Sequence, residues 1–336
     1  MIVYNVRTPP CTHLLGDFTN SSFSFTYRTE HVDPRTPPVV DLNNILLPKL
    51  TLLPKGTNLL SNYRTGMDIP NEVESSYSSF IEAIKQTQVE WSNYDFISYR
   101  NTISRLSLLC YIPDPRFNFW VTKRGTTVFF GLIDTPQPIT NEFHRRALFI
   151  GKEIERRTFP NSNSAFINVQ CLSMKCNKLG LRELKGLVAC ETDCVDKNGN
   201  FLELKTSNIS SVKGVYYKGE KAMRTYIQCV IGGVDCVCTV LHNNGIIYGT
   251  EVHKLDYFLN LGKGLPHTTQ FNNVRAWNRQ KIMGLGTYLV SLIRDCVSEN
   301  TLYRGFVNRE HQLEVETSDS VDGVIWFNQV MDLPDK

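Results

Sequence analysis

The sequence predicts a single α+β domain in which a mixed β-sheet is flanked by helices. A chain of 336 residues, 41% of them hydrophobic, is long and apolar enough to bury a substantial core. Apolar residues recur at helical spacing over residues 277–297, whereas residues 117–132 read as strand, turn and strand. No internal repeat, low-complexity tract or flexible linker divides the chain, so one domain over residues 1–336 is expected.

The first third of the chain is predicted to change from irregular to helical structure. Residues 1–75 hold eight of the 15 prolines and are expected to wrap the domain irregularly. A short strand is predicted over residues 22–27, where serine or threonine alternates with phenylalanine or tyrosine. Apolar residues then recur near helical spacing, so residues 76–110 are predicted to be helical. The residues that carry chemistry are expected between about 95 and 310.

Helices and strands alternate in the rest of the prediction. A helix that begins after a cap at residues 140–142 is expected to end near residue 159. Its predicted apolar stripe consists of Phe143, Ala147, Ile150 and Ile154. Residues 187–250 are predicted to be rich in strands, and a short strand over residues 302–307 follows the helix of residues 277–297. A tail without predicted secondary structure ends the chain.

Composition excludes several classes of protein. The 36 basic and 33 acidic residues nearly balance, so any site for a polyanion must be local. No apolar stretch approaches the roughly 20 residues that a membrane span requires, and none of the ten cysteines forms a Cys-x-x-Cys pair. The N terminus has no basic start followed by a long apolar run. We therefore expect an intracellular protein with reduced thiols and no membrane association.

Four charged residues lie on the two strands of a predicted β-hairpin. Glu191 and Asp193 are two residues apart on the first strand, and Glu203 and Lys205 are two residues apart on the second. Side chains alternate along a strand, so each pair shares one face of its strand. Whether the two pairs share the same face of the hairpin depends on the turn.

The turn sequence favours a three-residue loop. A two-residue turn would place the two charged pairs on opposite faces. Residues 196–199, Asp-Lys-Asn-Gly, instead favour a type I turn that ends in a left-handed glycine. That loop pairs Asp193 with Glu203 and Glu191 with Lys205, which brings all four charges together. The opposite face is predicted to enter the core with Val188, Cys190, Thr192, Leu202 and Leu204.

Crowded carboxylates of this kind point to a metal site. Neighbouring carboxylates repel one another and raise one another's pKa unless a cation lies between them. Oxygen ligands suit Mg²⁺ or Mn²⁺, and a nearby lysine can orient an attacking water. An aspartate followed after nine residues by Glu-x-Lys has the spacing of the PD-(D/E)xK nuclease core, which indicates metal-assisted hydrolysis of phosphodiesters. A solvated hairpin face held by ion pairs is the alternative interpretation.

Five short motifs follow one another in a defined order. Residues 99–106 begin Tyr-Arg-Asn, residues 151–155 form Gly-x-x-x-Glu, residues 191–193 form Glu-x-Asp and residues 203–207 read Glu-Leu-Lys-Thr-Ser. Gln228 follows in an apolar stretch. As an ordered set, these motifs resemble those of the DXO/Rai family of RNA 5′-end decapping exonucleases, which have a PD-(D/E)xK-type core.

The resemblance implies a role for each matching residue. Two divalent cations, Mg²⁺ or Mn²⁺, are the expected cofactors. Their expected ligands are the side chains of Glu155, Glu191, Asp193 and Glu203 and the carbonyl oxygen of Leu204. Lys205 and Gln228 are expected to position the nucleophilic water and the scissile phosphate, and Arg100 is expected to hold a 5′ phosphate. The expected catalytic set is Glu155, Asp193, Glu203, Lys205 and Gln228.

The same resemblance implies a reaction and partners. The expected activity is metal-dependent hydrolysis at RNA 5′ ends, which removes incomplete, unmethylated or NAD-type caps and 5′-triphosphates in mRNA quality control. Degradation of the RNA in the 5′→3′ direction and docking of a partner exoribonuclease are further expectations. The resemblance favours a nuclear rather than a cytosolic location.

Departures from the family pattern keep other hypotheses open. Tyr99 and Asn101 stand where the early motif has tryptophan and glycine, and residues 223–226 lack the paired tryptophans that precede the glutamine. Considered alone, Glu155 reads as a helix-surface residue paired with a neighbouring arginine. The second hypothesis is therefore an RNA-end-binding regulator with weakened catalysis, or a cofactor of a partner exoribonuclease. A DNA repair nuclease, which shares the core, is the third.

Overall fold

Two β-sheets and seven α-helices form the part of the chain that the structure describes. The structure is a computed structural model. It describes residues 2–5, 14–30, 39–42, 47, 49–67, 69, 77–112, 116–133, 141–158, 164–178, 180–212, 217–263 and 277–334. Parallel and antiparallel strand pairs occur in both sheets, so the predicted α+β fold with a mixed sheet is confirmed.

Fourteen strands occur among the described residues. They are β1 (Ile2–Asn5), β2 (Gly16–Glu30), β3 (Val39–Asp41), β4 (Phe96–Tyr99), β5 (Phe117–Arg124), β6 (Thr127–Ile133), β7 (Ser164–Cys176), β8 (Leu184–Glu191), β9 (Cys194–Val195), β10 (Phe201–Asn208), β11 (Cys236–Asn243), β12 (Ile246–Lys254), β13 (Tyr303–Val307) and β14 (Gln312–Thr317).

The larger sheet has ten strands in the order β1-β14-β13-β5-β6-β4-β8-β7-β2-β3. Its short strand β4 pairs in parallel with both β6 and β8, and the remaining neighbours are antiparallel. The smaller sheet has the order β12-β11-β10-β9, with β10 and β11 parallel. The predicted hairpin connects the two sheets, because its first strand, β8, belongs to the larger sheet and its second, β10, to the smaller.

Helices cover the faces of both sheets. They are α1 (Tyr77–Thr87), α2 (Arg100–Leu108), α3 (Glu142–Thr158), α4 (Ala222–Gly232), α5 (Leu255–Lys263), α6 (Arg279–Cys296) and α7 (Val321–Met331). One core cluster packs α2, α4 and α6 on one face of the larger sheet, and a second packs α1 and α7 on the other face. A third cluster packs α3 on the smaller sheet. No helix in the described ranges is long and apolar enough to cross a bilayer.

Several predicted elements are confirmed. The strand–turn–strand unit of residues 117–132 corresponds to β5 and β6, and the helix of residues 277–297 corresponds to α6. The short strand at residues 302–307 corresponds to β13. The predicted cap near residue 140 is present as well, because the Asn141 side chain accepts a hydrogen bond from the N–H of Phe143 at 2.8 Å.

The prediction of continuous helix over residues 76–110 is wrong, because β4 separates α1 from α2. All four residues of β4 are buried, since the strand lies at the centre of a sheet covered on both faces. Such a strand has no alternation of polar and apolar residues, and its apolar run was assigned to the neighbouring helical pattern. The strand-rich prediction for residues 187–250 likewise missed α4, which lies between β10 and β11.

The ends of the chain contribute more regular structure than expected. The strand predicted over residues 22–27 is part of β2, which spans 15 residues and pairs along its length with β7. The expected tail instead forms β14 and α7. On α3, Ile150 and Ile154 are buried as predicted, but Phe143 is 70% exposed, so the apolar stripe is shorter than expected. The proposed division into an N-terminal wrap and a core stays a prediction.

Candidate active site

The turn between β9 and β10 has the predicted geometry. The N–H of Gly199 donates to the carbonyl oxygen of Asp196 at 3.1 Å, and the N–H of Asp196 donates to the carbonyl oxygen of Asn200 at 2.9 Å. Gly199 has a φ of +85°, which is the left-handed conformation that glycine adopts without strain. The Asp196 carboxylate also accepts from the N–H groups of Asn198 and Asn200. The three-residue loop with a type I turn is therefore confirmed.

The hairpin ladder itself is shorter than predicted. It comprises Val195 opposite Phe201 and Cys194 opposite Leu202, which is the predicted register. Beyond these pairs the strands separate, and Glu191 pairs in the larger sheet instead of lying opposite Lys205. The strands separate because each must complete a different sheet. All five residues predicted for the core face are buried, but they do not share one core, because Val188 and Cys190 belong to the cluster on the larger sheet and Leu202 and Leu204 to the cluster on the smaller sheet.

A buried cluster of charged groups lies where the two sheets meet. The Arg100 guanidinium donates to Glu203 Oε2 at 2.7 Å, and the Lys205 ammonium donates to Glu203 Oε1 at 2.5 Å. The Glu203 side chain is only 2% exposed. Asp193 Oδ2 accepts from the N–H of Leu204 at 2.6 Å. The structure thus brings Asp193, Glu203 and Lys205 together as the turn predicted and adds Arg100, whereas Glu191 is exposed and does not lie opposite Lys205.

The positions of the strands explain this convergence. Arg100 is the first residue of α2, and it follows directly after β4 at the centre of the larger sheet. Glu203 and Lys205 lie on the neighbouring smaller sheet, on one face of β10, because side chains two residues apart on a strand share a face. The register of the turn then brings Asp193 beside the backbone of Leu204.

The pKa values of the two acids in this cluster shift in opposite directions. Burial alone would raise the pKa of Glu203, but the positive charges of Arg100 and Lys205 outweigh burial and hold that pKa well below its usual range. The pKa of Asp193 is instead raised to about 7, first by burial and then by the negative charge of Glu203, with a smaller contribution from Glu191. Glu203 therefore remains ionised at neutral pH, whereas Asp193 binds a proton readily.

Helix α4, which carries Gln228, passes over this cluster. A Cβ atom on Gly232 would lie 3.6 Å from the Arg100 guanidinium, so the helix approaches Arg100 closely. Burial, and next the charge of Glu203, raise the pKa of the Cys229 thiol, which places that thiol near the carboxylates. Gln228 is the neighbour of Cys229 and is half-buried. Its predicted role in positioning water and phosphate stays a prediction.

Helix α3 presents a different acidic residue from the one that the motif suggested. Glu153 is buried and forms ion pairs with Arg156 at 2.8 Å and with Arg157 at 2.5 Å. Glu155 is exposed. Arg156 and Arg157 each pair with Glu153, and the arginine pairing expected for Glu155 stays a prediction. The role of Glu155 as a metal ligand stays a prediction, as does that of Glu191, which is also exposed.

The donor set suits a hard divalent cation. Carboxylate oxygens and a backbone carbonyl oxygen are ligands that Mg²⁺ and Mn²⁺ accept, and a cation would relieve the repulsion that raises the pKa of Asp193. Within the described ranges, no group of three histidine, cysteine, aspartate or glutamate side chains is already arranged to hold a metal ion. The chemistry of the residues fits a metal, and metal binding would require rearrangement of the side chains.

Sequence reasoning missed a second lysine beside the cluster. Lys221 immediately precedes α4, and its ammonium donates to the carbonyl oxygen of Thr206 at 2.5 Å and to Ser207 Oγ at 2.6 Å. The available signal was its spacing, because Lys221 stands seven residues before Gln228 and two helical turns place both residues on one side of a helix.

Comparisons with known proteins agree with this geometry. The family described as RAI1 like PD-(D/E)XK nuclease matches residues 21–325. No curated protein gives a significant sequence match.

Solved structures show the fold. A triple mutant of S. pombe Rai1 in complex with 3′-FADP has a TM-score of 0.73 and 12% identity, covering 95% of this chain and 100% of that chain. Scheffersomyces stipitis Rai1, in complex with (3′-NADP)+ and calcium ion, has a TM-score of 0.69 and 18% identity, covering 92% and 90%. Candida albicans Rai1, in complex with pU5-Mn2+, has a TM-score of 0.66 and 18% identity, covering 95% and 96%.

The family match spans most of the chain, and the charged cluster lies at the positions of the nuclease motif. The chain therefore belongs to the RAI1-like family of PD-(D/E)XK nucleases.

Proposed function

We propose that this protein is a metal-dependent hydrolase of RNA 5′ ends. Its substrates are RNAs with incomplete, unmethylated or NAD-type caps or with a 5′-triphosphate, and its role is quality control of mRNA 5′ ends. Degradation of the RNA in the 5′→3′ direction follows removal of the 5′ group. We further propose that the protein is nuclear and that it interacts with a partner exoribonuclease.

One observation carries the proposal. Asp193 is half-buried beside Glu203, accepts the N–H of Leu204 at 2.6 Å and has no ion-pair partner in the described part of the chain, so an unpaired carboxylate lies next to a paired one. A divalent cation bound beside Asp193 would compensate this carboxylate. The ligands of similar structures add support, since Rai1 proteins of the same fold form complexes with pU5-Mn2+ and with (3′-NADP)+ and calcium ion.

The residues present divide the work between metal binding and phosphate binding. The proposed cofactors are two Mg²⁺ or Mn²⁺ ions. Their ligands would be the side chains of Glu155, Glu191, Asp193 and Glu203 and the carbonyl oxygen of Leu204. When bound, a divalent cation polarises a phosphoryl oxygen and makes water a stronger nucleophile. Lys205 uses one of its three N–H donors on Glu203, so further donors are available to orient water together with Gln228.

Arg100 has the features of a phosphate-binding residue. Its guanidinium is held in a fixed orientation by Glu203 at 2.7 Å, and a guanidinium carries five N–H donors. Burial opposes the charge of Arg100, but the carboxylate of Glu203 outweighs burial and raises the pKa of the guanidinium, so the charge is retained. Arg100 therefore holds the 5′ phosphate next to the reacting bond, where a fixed, charged donor also stabilises the transition state.

The test is a time course on RNAs with a labelled 5′ end. RNAs with a triphosphate, a monophosphate, an unmethylated cap or an NAD end are incubated with Mn²⁺, Mg²⁺ or EDTA. The Asp193→Ala, Glu203→Ala double variant is compared with the control Glu310→Gln, which changes an exposed carboxylate in the β13–β14 turn. Metal-dependent release of a 5′ product that only the double variant loses supports the proposal. Absence of turnover on every end contradicts it.

A second candidate function is an RNA-end-binding regulator with weakened catalysis, or a cofactor of a partner exoribonuclease. The observation that favours it is the engagement of Glu203, whose two oxygens are both bound by cationic side chains. If those ion pairs persist when Mn²⁺ is added, Glu203 cannot serve as a ligand. Binding of phosphorylated RNA ends without turnover would then identify the regulator, and preference for DNA ends would identify a DNA nuclease.

A further inference from the structure

A row of polar groups on β10 extends beyond the predicted nuclease residues. Glu203, Lys205 and Ser207 are each two residues apart on this strand, so their side chains share one face. The ammonium of Lys221 lies 2.6 Å from Ser207 Oγ. Lys221 therefore lies at the end of the same row, on the face that carries Glu203 and Lys205.

The charge of Lys221 has no acidic partner in the described ranges. The adjacent Glu220 forms its ion pair with Arg224 at 2.8 Å instead. Two N–H donors of the Lys221 ammonium bind the neutral oxygens of Thr206 and Ser207. The centroid of the Tyr217 ring lies 5.5 Å from Lys221 Nζ, and the third donor of the ammonium has no hydrogen-bond acceptor in the described ranges, so it is available to a ligand.

The surroundings of Lys221 disfavour a positive charge. Burial, and then the charge of Lys205, lower the pKa of Lys221 to about 8. Burial, followed by the charge of Lys221, lowers the pKa of His242 as well. Lys205 is paired with Glu203, whereas Lys221 carries a positive charge without a carboxylate partner in the described part of the chain, and a bound anion would stabilise that charge.

We propose that Lys221 is a phosphate-binding residue that, together with Lys205, holds a phosphate group of the RNA 5′ end. This inference rests on the proposed function, because it takes the RNA 5′ end as the ligand. The side chain is only half-buried, so its ammonium is within reach of a ligand at the site. Phosphate oxygens accept charge-assisted hydrogen bonds from lysine, which acts as a point charge. Because Arg100 lies at the other end of the row, Lys221 binds a different phosphate from the one that Arg100 holds.

The test compares RNA ends that differ only in phosphorylation. Binding of short RNAs with a 5′-triphosphate, a 5′-monophosphate or a 5′-hydroxyl is measured by fluorescence anisotropy in EDTA, where hydrolysis does not interfere. Lys221→Gln is expected to weaken binding of the triphosphate RNA about tenfold and that of the hydroxyl RNA less than about twofold. Lys221→Arg is expected to retain most of the affinity. The matched control is Lys218→Gln, which removes the same charge from the short helical segment Tyr217–Lys221 that precedes α4.

Two results would overturn the inference. Equal loss of affinity for all three RNAs would show that Lys221 only ties α4 to β10, and unchanged affinity for the triphosphate RNA would show that it does not bind phosphate. Turnover is not needed for this assay. The inference therefore survives a protein that binds 5′-triphosphate RNA through Lys221 but hydrolyses nothing, whereas that result contradicts the proposed function.

A measurement on the unaltered protein covers the case in which Lys221→Gln does not fold. The native chain is treated with an amine-reactive reagent at pH 8, and the modification of each lysine is measured by mass spectrometry with and without inorganic tripolyphosphate. Protection of Lys221 and Lys205 is expected, while the modification of Lys218 is expected to stay unchanged. Equal modification of Lys221 with and without tripolyphosphate would overturn the inference.

Discussion

The short strand β4 has an ion-pair cluster at each end, and the two clusters differ in whether every carboxylate has an ion pair. We call the cluster around Asp95 the balanced end and the cluster around Asp193 and Glu203 the unbalanced end. At the N-terminal end, Asp95 binds the guanidinium of Arg182 and that of Arg294, the latter at 2.9 Å. Its other oxygen accepts from the N–H of Lys185 at 2.9 Å. Every oxygen of Asp95 is thus bound, and the cluster ties β4 to the start of β8 and to α6.

The cluster at the C-terminal end of β4 leaves one of its carboxylates without an ion pair. Glu203 binds both Arg100 and Lys205, so no cation is left for Asp193 within ion-pair distance in the described part of the chain. Asp193 accepts only a backbone hydrogen bond, from Leu204, and its pKa is raised. The comparison teaches that balanced ion pairs hold this sheet together, whereas the unbalanced end is suited to a positively charged ligand.

The largest expected effect separates the two clusters by activity. Asp193→Asn and Glu203→Gln each remove a proposed metal ligand and are expected to lower kcat by about a thousandfold or more. Asp95→Ala is expected to leave kcat within about twofold at temperatures where it stays folded. Metal-dependent turnover on the preferred RNA end measures all three. Equal loss of activity in Asp95→Ala would remove the distinction between the clusters.

Substitutions of Glu203 and Asp193 are expected to change the stability of the protein in opposite directions. Glu203→Gln leaves the buried charges of Arg100 and Lys205 without a partner and is expected to lower the free energy of unfolding by about 3 kcal/mol. Asp193→Asn removes an uncompensated carboxylate, keeps an acceptor for the Leu204 N–H and is expected to raise the Tm. Thermal unfolding in EDTA at pH 8 tests both. A lower Tm for Asp193→Asn would contradict the charge imbalance.

At the balanced end, Asp95→Ala is expected to lower the free energy of unfolding by about 2 kcal/mol, because it removes the acceptor of the half-buried Arg294 guanidinium and of the Lys185 N–H. Urea unfolding gives the value. Arg182→Ala is the milder control, since the Arg182 side chain is 63% exposed and exposed ion pairs contribute little. A larger loss for Arg182→Ala than for Asp95→Ala would show that Asp95 does not organise this end.

The pH dependence of stability follows from the raised pKa of Asp193. A group whose folded pKa of about 7 exceeds its usual 3.8 contributes stability that is complete below about pH 4 and is lost as the pH rises through 7. Without metal, the Tm of the unaltered protein is therefore expected to fall between pH 5 and 8 more steeply than that of Asp193→Asn. Parallel curves for the two proteins would show that Asp193 does not titrate in this range.

The smallest expected effect concerns the turn that sets the register of both acids. Gly199→Ala is expected to cost about 1 kcal/mol, because an alanine is strained at a φ of +85° while no neighbouring atom blocks its Cβ. Chemical denaturation gives the value, and kcat is expected to change little. A loss of several kcal/mol would show that this turn is needed for the two sheets to pack together.

Local patterns in the sequence predicted the hairpin well and the strand β4 poorly. The Asp196–Gly199 turn follows from residue types whose backbone preferences act within four residues, and the structure confirms it. Strand β4 depends on neighbours that are distant in sequence. It is four residues long and buried on both faces, so it carries no periodic signal of its own.

The candidate site shows the same division. Asp193, Glu203 and Lys205 could be brought together from the sequence, because the turn and the strand alternation determine their positions, whereas Arg100 was expected at the site only from the family resemblance. The pairing of Arg100 with Glu203 depends on how two sheets meet, which sequence spacing does not encode. The spacing of Lys221 from Gln228 places both on one side of a helix, but its contacts with Thr206 and Ser207 depend on how that helix packs on β10.

Direct measurement of Mn²⁺ binding tests the central claim, that the unbalanced end of β4 is a metal site. Free Mn²⁺ is followed by its paramagnetic resonance signal as protein is titrated, for the unaltered chain and for Asp193→Asn, Glu203→Gln and Asp95→Ala. The account predicts that the unaltered chain and Asp95→Ala bind Mn²⁺ saturably, and that Asp193→Asn and Glu203→Gln bind it more weakly. Absence of saturable binding by the folded, unaltered chain, or equal binding by all four proteins, would contradict it.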